Sequence, residues 1–192
     1  MIAFFQNLFS SPADEELKTI LREYVRDQAS VDLDNLRRAL SLIPLYRKYN
    51  ILAMTYDKTN TVLHWAARRG NTSVCKCILD SVTDQKYNLL TIEMSNGNNV
   101  LTLAALKGHT ETVRYIIDSV DLDKRYEMMK IQNEKGITTL HGAATKGRTG
   151  VTKAILDSVT EEQKYNLLSL GDSNGDTALM HAAHNGHTET DT

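Results

Sequence analysis

The sequence predicts an all-α solenoid: stacked helix-turn-helix units, an additional short helix in each, and an N-terminal helical cap. Three observations predict it. One phrase occurs four times at a spacing of 38 to 39 residues, as NTVLHWAARRG from Asn60, NNVLTLAALKG from Asn98, ITTLHGAATKG from Ile137 and DTALMHAAHNG from Asp176. Leu63, Leu101, Leu140 and Leu179 keep its register, each followed at a fixed offset by an Ala-Ala pair. A glycine then closes each copy, at Gly70, Gly108, Gly147 and Gly186. Self-similarity at such a period marks units that bury their apolar faces only against their neighbours.

The chain opens on MIAFFQNLF, which is apolar but has no basic residue before Lys18. It therefore lacks the positive region of a secretory signal and is too short to span a bilayer. It is expected to pack on the first helix, the alternative being a peripheral membrane or partner contact. That helix starts at Ser11-Pro12-Ala13-Asp14-Glu15-Glu16, with an N-cap serine, proline at N1 and acids in the first turn. Leu17, Ile20, Leu21, Tyr24 and Val25 give it one apolar stripe. Tyr49 lies 14 residues before Leu63, as Tyr87 does before Leu101, Tyr126 before Leu140 and Tyr165 before Leu179. Residues 31 to 55 thus read as the rear half of a degenerate unit, and residues 1–55 as a cap over the first apolar flank.

Within a full unit, Ser95-Asn96-Gly97-Asn98-Asn99 is a cluster of turn formers. A first helix over 100–107 ends at Gly108, a residue that accepts the left-handed conformation. A second runs over about 110–119, with Val113, Ile116, Ile117 and Val120 at helical spacing. Then come TDQKYNLLTI from Thr83, DLDKRYEMMKI from Asp121 and TEEQKYNLLSL from Thr160. Thr83, Asp121 and Thr160 are good N-cap residues, and Thr160 with Gln163 forms a capping-box pattern. Tyr126 and Met129, like Tyr165 and Leu168, sit three apart. A third short helix per unit is the expectation. The units span 56–94, 95–132, 133–171 and a partial 172–192. The last stops where its second helix should begin, so the chain is expected to be a piece of a longer array or to end in a frayed unit.

A hydrophobic share of 41% is enough for a core, and a net charge of −2 argues against a nucleic-acid binder at the level of the whole chain. The aromatic residues also sit mostly at repeat-core positions such as Tyr87 and Tyr165, which sets nucleic-acid stacking aside. Cys75 and Cys77 are too few for a disulfide framework. At i and i+2 on a helix they read as reduced thiols of a cytoplasmic protein, one packed and one nearer solvent. His181 and His184, three apart, have neither a carboxylate nor a cysteine in the motif to complete a metal site. No phosphate loop, nucleophile elbow or H-E-x-x-H is present, so neither an enzyme nor a cofactor is expected.

These blocks resemble ankyrin repeats, whose consensus carries G-x-T-P-L-H-x-A-A-x-x-G-H. Gly136-Ile137-Thr138-Thr139-Leu140-His141-Gly142-Ala143-Ala144 follows it closely, and Gly108-His109 and Gly186-His187 match the G-H. The likeness covers roughly residues 56 to 192. Val62, Val100, Thr139 and Ala178 replace the motif's proline, and only His64 and His141 keep its first histidine. The resemblance implies that His64 and His141 hydrogen-bond to the turn, and that His109 and His187 are structural. It also implies a protein partner bound on the concave face, by the turn tips and the solvent side of the first helices. On this chain the tips carry Asp57, Lys58, Asn60, Asn96, Asn98, Glu134, Lys135 and Ile137. The positions after Ala-Ala carry Arg68, Arg69, Leu106, Lys107, Thr145 and Lys146. These pairs are expected to face solvent, where the fold leaves their identity free. Their row holds four cations and no acid, which reads either as a site for an acidic or phosphorylated partner segment or as a solvated basic row. A monomeric scaffold is the expected protein; the alternative is the recognition arm of a larger signalling or effector protein.

Overall fold

The Ala-Ala pairs become the contact points of a stack. In the computed structural model, which describes residues 11–27, 31–57 and 59–187, thirteen helices are present among the described residues and none is long and apolar enough to cross a membrane. They are α1 (Pro12–Asp27), α2 (Leu33–Ser41), α3 (Leu45–Leu52), α4 (Val62–Arg69), α5 (Thr72–Asp80), α6 (Lys86–Leu90), α7 (Val100–Lys107), α8 (Thr110–Asp118), α9 (Leu122–Lys130), α10 (Thr139–Thr145), α11 (Thr149–Leu156), α12 (Glu161–Ser169) and α13 (Ala178–His184). An inner layer runs α4, α7, α10, α13, each packed on the next, and an outer layer runs α2, α5, α8, α11 in the same way. Ala66, Ala67, Ala104, Ala105 and Ala143 are wholly buried in the inner layer. Methyl side chains there let helices pack at the short end of the usual ~8–10 Å interaxial distance.

The third helix of each unit exists. Thr160 caps α12 by the predicted box, accepting from the Gln163 N–H at 3.3 Å while Gln163 Oε1 accepts from the Thr160 N–H at 3.2 Å. Asp121 stands at the N-cap of α9 without a side-chain cap bond. Thr83 does not cap: α6 starts only at Lys86, behind Gln85. Thr83 lies four residues before Tyr87, whereas Asp121 and Thr160 lie five before Tyr126 and Tyr165. The missing residue removes the first helical turn. Leu89, Leu90, Met128 and Met129 are buried, and so is Leu167. Tyr165, expected in the core, is 72% exposed, and Leu168 is 40% exposed. Packing of α9 against α12 covers the earlier copy, and among the described residues no further helix of this layer lies on α12.

The N-terminal helices pack onto the first unit. α1 packs on α2 and on the inner helix α4, while α2 packs on the outer helix α5. Residues from Ser11 to Leu52 therefore continue the stack and cover the flank of α4 and α5. Ser11 Oγ accepts from the Asp14 N–H at 3.3 Å, and Asp14 Oδ2 accepts from the Ser11 N–H at 2.7 Å, the predicted helix start. Arg47 of α3 also donates to buried Asp14, tying α3 to α1. Cys75 and Cys77 are both buried, since α5 is packed by α2, α4 and α8. The apolar start of the chain and its last five residues lie outside the described residues.

Each turn closes on itself. The N–H groups of Tyr56, Met94, Asn133 and Asp172 donate to the carbonyls of Asn60, Asn98, Ile137 and Asp176. Neighbouring tips are laced as well: Glu134 N–H donates to Asn96 O at 3.4 Å and Ser173 N–H to Lys135 O at 3.1 Å. The first tip has Thr59 where the others have glycine. There Asp57 Oδ1 gathers the Thr59 and Asn60 N–H groups at 3.0 and 2.6 Å.

Candidate partner-binding edge

The histidines come first, because they fix the tips. Thr61 Oγ1 accepts from the His64 N–H at 3.4 Å, and His64 Nδ1 accepts from the Thr61 N–H at 3.2 Å. With Nδ1 an acceptor, the ring proton sits on Nε2, which donates to Ile92 O, near the end of the same unit, at 3.0 Å. His141 repeats the box with Thr138, but its Nε2 meets a different carbonyl, Asp176 O of the fourth unit, at 3.1 Å. Burial lowers the His64 pKa to about 4 and lowers that of His141. The second unit replaces the pair with Asn99 and Thr102: Asn99 Oδ1 accepts from the Thr102 N–H at 2.9 Å. His109 Nε2 meets Arg68 O at 3.1 Å, capping the carboxyl end of α4 across the unit boundary.

The predicted site residues divide on this frame. Asp57, Arg68, Asn96, Lys107, Glu134, Lys135 and Lys146 are exposed; Lys58 lies outside the described residues. Slight desolvation raises the Asp57 carboxyl, but the Thr59 and Asn60 N–H groups outweigh it and hold the pKa below the usual range. Asn98 is buried, its Oδ1 accepting from Asn133 Nδ2 at 2.9 Å. Asn60 donates to Asp57 at 2.6 Å. Leu106 and Ile137 are half-buried, and a Cβ on Gly142 would lie 3.0 Å from Leu106 Cδ2. Thr145 is used internally: its hydroxyl donates to His141 O at 2.8 Å and lies 3.0 Å from His181 Nδ1. His181 Nε2 is 3.0 Å from Asp172 Oδ2.

Arg69 corrects the expectation of a free row. It donates to Tyr24 O at 2.6 Å and Val25 O at 3.0 Å, and its guanidinium lies 4.8 Å from the Tyr24 ring and 5.1 Å from that of Trp65. Those carbonyls belong to the last turn of α1, where no intrahelical donor remains. Two charge-assisted bonds and two ring contacts fix the cap on the first unit. Arg69→Ala is expected to cost about 2–3 kcal/mol, with Arg69→Lys restoring only part of it, because an ammonium cannot fork and stack together. Hydrogen exchange of α1 reads this directly. Unchanged protection there would show that the bonds do not hold the cap.

Arg148 is the residue the sequence reading missed. It stands where the G-H histidine is expected, and its side chain lies over Gly108, whose Cβ would meet Arg148 Cδ at 2.8 Å. A cation at the N-cap of α11 opposes that helix's dipole. Its side chain reaches back instead to Gly108, at the carboxyl end of α7. The departure from G-H at Gly147-Arg148 was the available signal. Arg68, Lys107, Lys146 and Arg148 make no ion pair among the described residues, and all four are exposed.

Among curated proteins none matches this sequence. The family described as ankyrin repeats (3 copies) matches residues 32–127 and 122–190, a span that begins at α2. With the helix pairs, the laced tips and the buried Thr-His boxes in place, this chain belongs to the ankyrin-repeat family.

Proposed function

We propose that the chain is a non-enzymatic scaffold that holds a protein partner along the edge formed by the inner helices and turn tips. Ankyrin repeats are generally protein–protein interaction modules. The observation that carries this reading is the set of exposed cations Arg68, Lys107, Lys146 and Arg148, which make no ion pair among the described residues and fall one or two to each of the first three units. A lysine in a helix's last turn gains a few tenths of a kcal/mol from the dipole, roughly, and needs nothing more. Arg148 lacks that excuse at its own helix, and it makes the edge continuous. The ligand it suits is an acidic or phosphorylated segment, since a guanidinium held in place by packing is pre-organised for carboxylate or phosphate oxygens. Two free, buried thiols suit a reducing compartment, so we place the protein in the cytoplasm.

The test is a crosslinking pull-down with wild type and Lys107→Glu/Lys146→Glu. Arg69 is left intact because its reversal would release α1. The double reversal is expected to weaken capture at least tenfold, roughly, and higher salt to weaken the wild type in parallel. A partner retained equally by both proteins refutes the basic edge.

A further inference from the structure

The outer layer carries two grooves of the same size, about 420 Å³ each, at successive unit junctions. In the one between α5–α6 and α8–α9, three carboxylates face two lysines. Lys86 pairs with Asp80 at 3.7 Å and Lys124 with Asp121 at 3.8 Å, and Asp84 adds a further carboxylate. The groove one unit earlier, between α2–α3 and α5, differs. Its wall includes Leu40 and Cys77, both buried, and its charged rim is Arg37, Lys48 and Lys76 against Asp80 alone. Asp80 is already engaged, accepting from the Tyr115 hydroxyl at 2.6 Å as well as pairing with Lys86.

The three cations are held weakly. Arg37 pairs with Asp34 at 3.0 Å, but the two side chains are 62% and 93% exposed, a setting in which such pairs add little. Lys48 reaches Ser81 O only at 3.4 Å, and Lys76 lies 5.3 Å from the Tyr115 ring. Leu45, one helical turn before Lys48 on α3, is 45% exposed and shares its face. Stacking requires a groove at each junction. It does not require an apolar wall under three cations, and the neighbouring groove, with three carboxylates to two lysines, carries the opposite balance.

We propose that this groove is a second docking surface, taking a partner segment in which an aliphatic side chain is flanked by carboxylates. The aliphatic group would cover Leu40 and Cys77, and the carboxylates would replace weak internal contacts of Arg37, Lys48 and Lys76. The surface lies on the outer layer, opposite the inner edge, so the two could be occupied together.

Cys77 reports on the site directly. Burial raises its thiol pKa, with Arg37 opposing, so its alkylation by N-ethylmaleimide at mildly alkaline pH is slow and sensitive to cover. Wholly buried Cys75 is the reference in the same molecule. The probe is a fluorescein-labelled peptide, GDDLLDDG, titrated to millimolar against the full chain and compared with GDDSSDDG and GKKLLKKG. Saturable binding of the first peptide alone is expected, together with a several-fold slowing of Cys77 alkylation. Lys76→Glu should weaken it about tenfold, the scale of one interfacial charge pair, while Lys124→Glu in the neighbouring groove should change it less than about twofold. Equal binding of a control peptide, equal loss with Lys124→Glu, or undiminished Cys77 alkylation overturns the proposal. Loss on Lys107→Glu/Lys146→Glu instead would move the peptide to the inner edge, overturning this site while supporting the other.

Discussion

Gly136→Ala should destabilise the chain by about 3–4 kcal/mol, while Gly175→Ala should cost only about 1–2. Both glycines have left-handed backbones, φ 73° and 84°, so the conformational penalty of a side chain is common to the pair. The surroundings differ. A Cβ on Gly136 would lie 2.5 Å from Ser173 N and 2.8 Å from Asp172 C, against backbone that cannot swing aside. A Cβ on Gly175 meets nothing within 4 Å. Relief at Gly136 requires the tips of the third and fourth units to part, breaking the Ser173 N–H to Lys135 O bond. Because units contact only their neighbours, the damage stays local. Hydrogen exchange should accelerate across both tips and in α13, with α1 to α5 unchanged, and the urea midpoint should fall further for Gly136→Ala. Equal effects of the two substitutions would mean that the close approach of the tips contributes nothing.

The stack was legible because every unit meets the same packing demand. A leucine and two alanines at fixed offsets recur wherever an inner helix must face its neighbours, and repetition turned that demand into a readable signal. The caps on α1 and α12 followed from local chemistry alone, so they too could be read. Arg69 could not. Its partners, Tyr24 O and Val25 O, lie some 44 residues away on a helix that belongs to no recognisable repeat. Within the motif it looked as free as Lys107. Tyr165 shows the same limit: it repeats Tyr87 in sequence, but exposure depends on what lies against it. Thr83 was different again, since its spacing to Tyr87 is one residue short and the cost of that residue is a turn of helix. Repeats announce what is common to the units; function and exceptions depend on the junctions, which sequence registers weakly.

Lowering the pH from 7 to about 4 should remove about 3 kcal/mol of stability through His64 alone. The unfolded chain protonates this imidazole near its ordinary pKa of 6.5, while the folded chain resists until about 4. The stabilisation is therefore complete above pH 6.5, declines across the interval and is gone below about 4. Burial is the first cause, and the hydrogen bonds explain why no rearrangement avoids it: the proton would go to Nδ1, which faces the Thr61 N–H. His141, lowered for the same reason, adds loss of the same sign. Asp57 and Asp172, both held below the carboxylate range, titrate lower still and leave the interval to the histidines. The second unit offers the control. Thr61→Asn/His64→Thr installs its Asn-Thr cap, which has no titratable group, and gives up the bond to Ile92 O. That variant should be somewhat less stable than wild type at pH 7 and should lose distinctly less on acidification. Urea midpoints at pH 7, 5.5 and 4.5 decide the matter. Parallel decline in the two proteins would place the acid sensitivity outside the Thr61–His64 box.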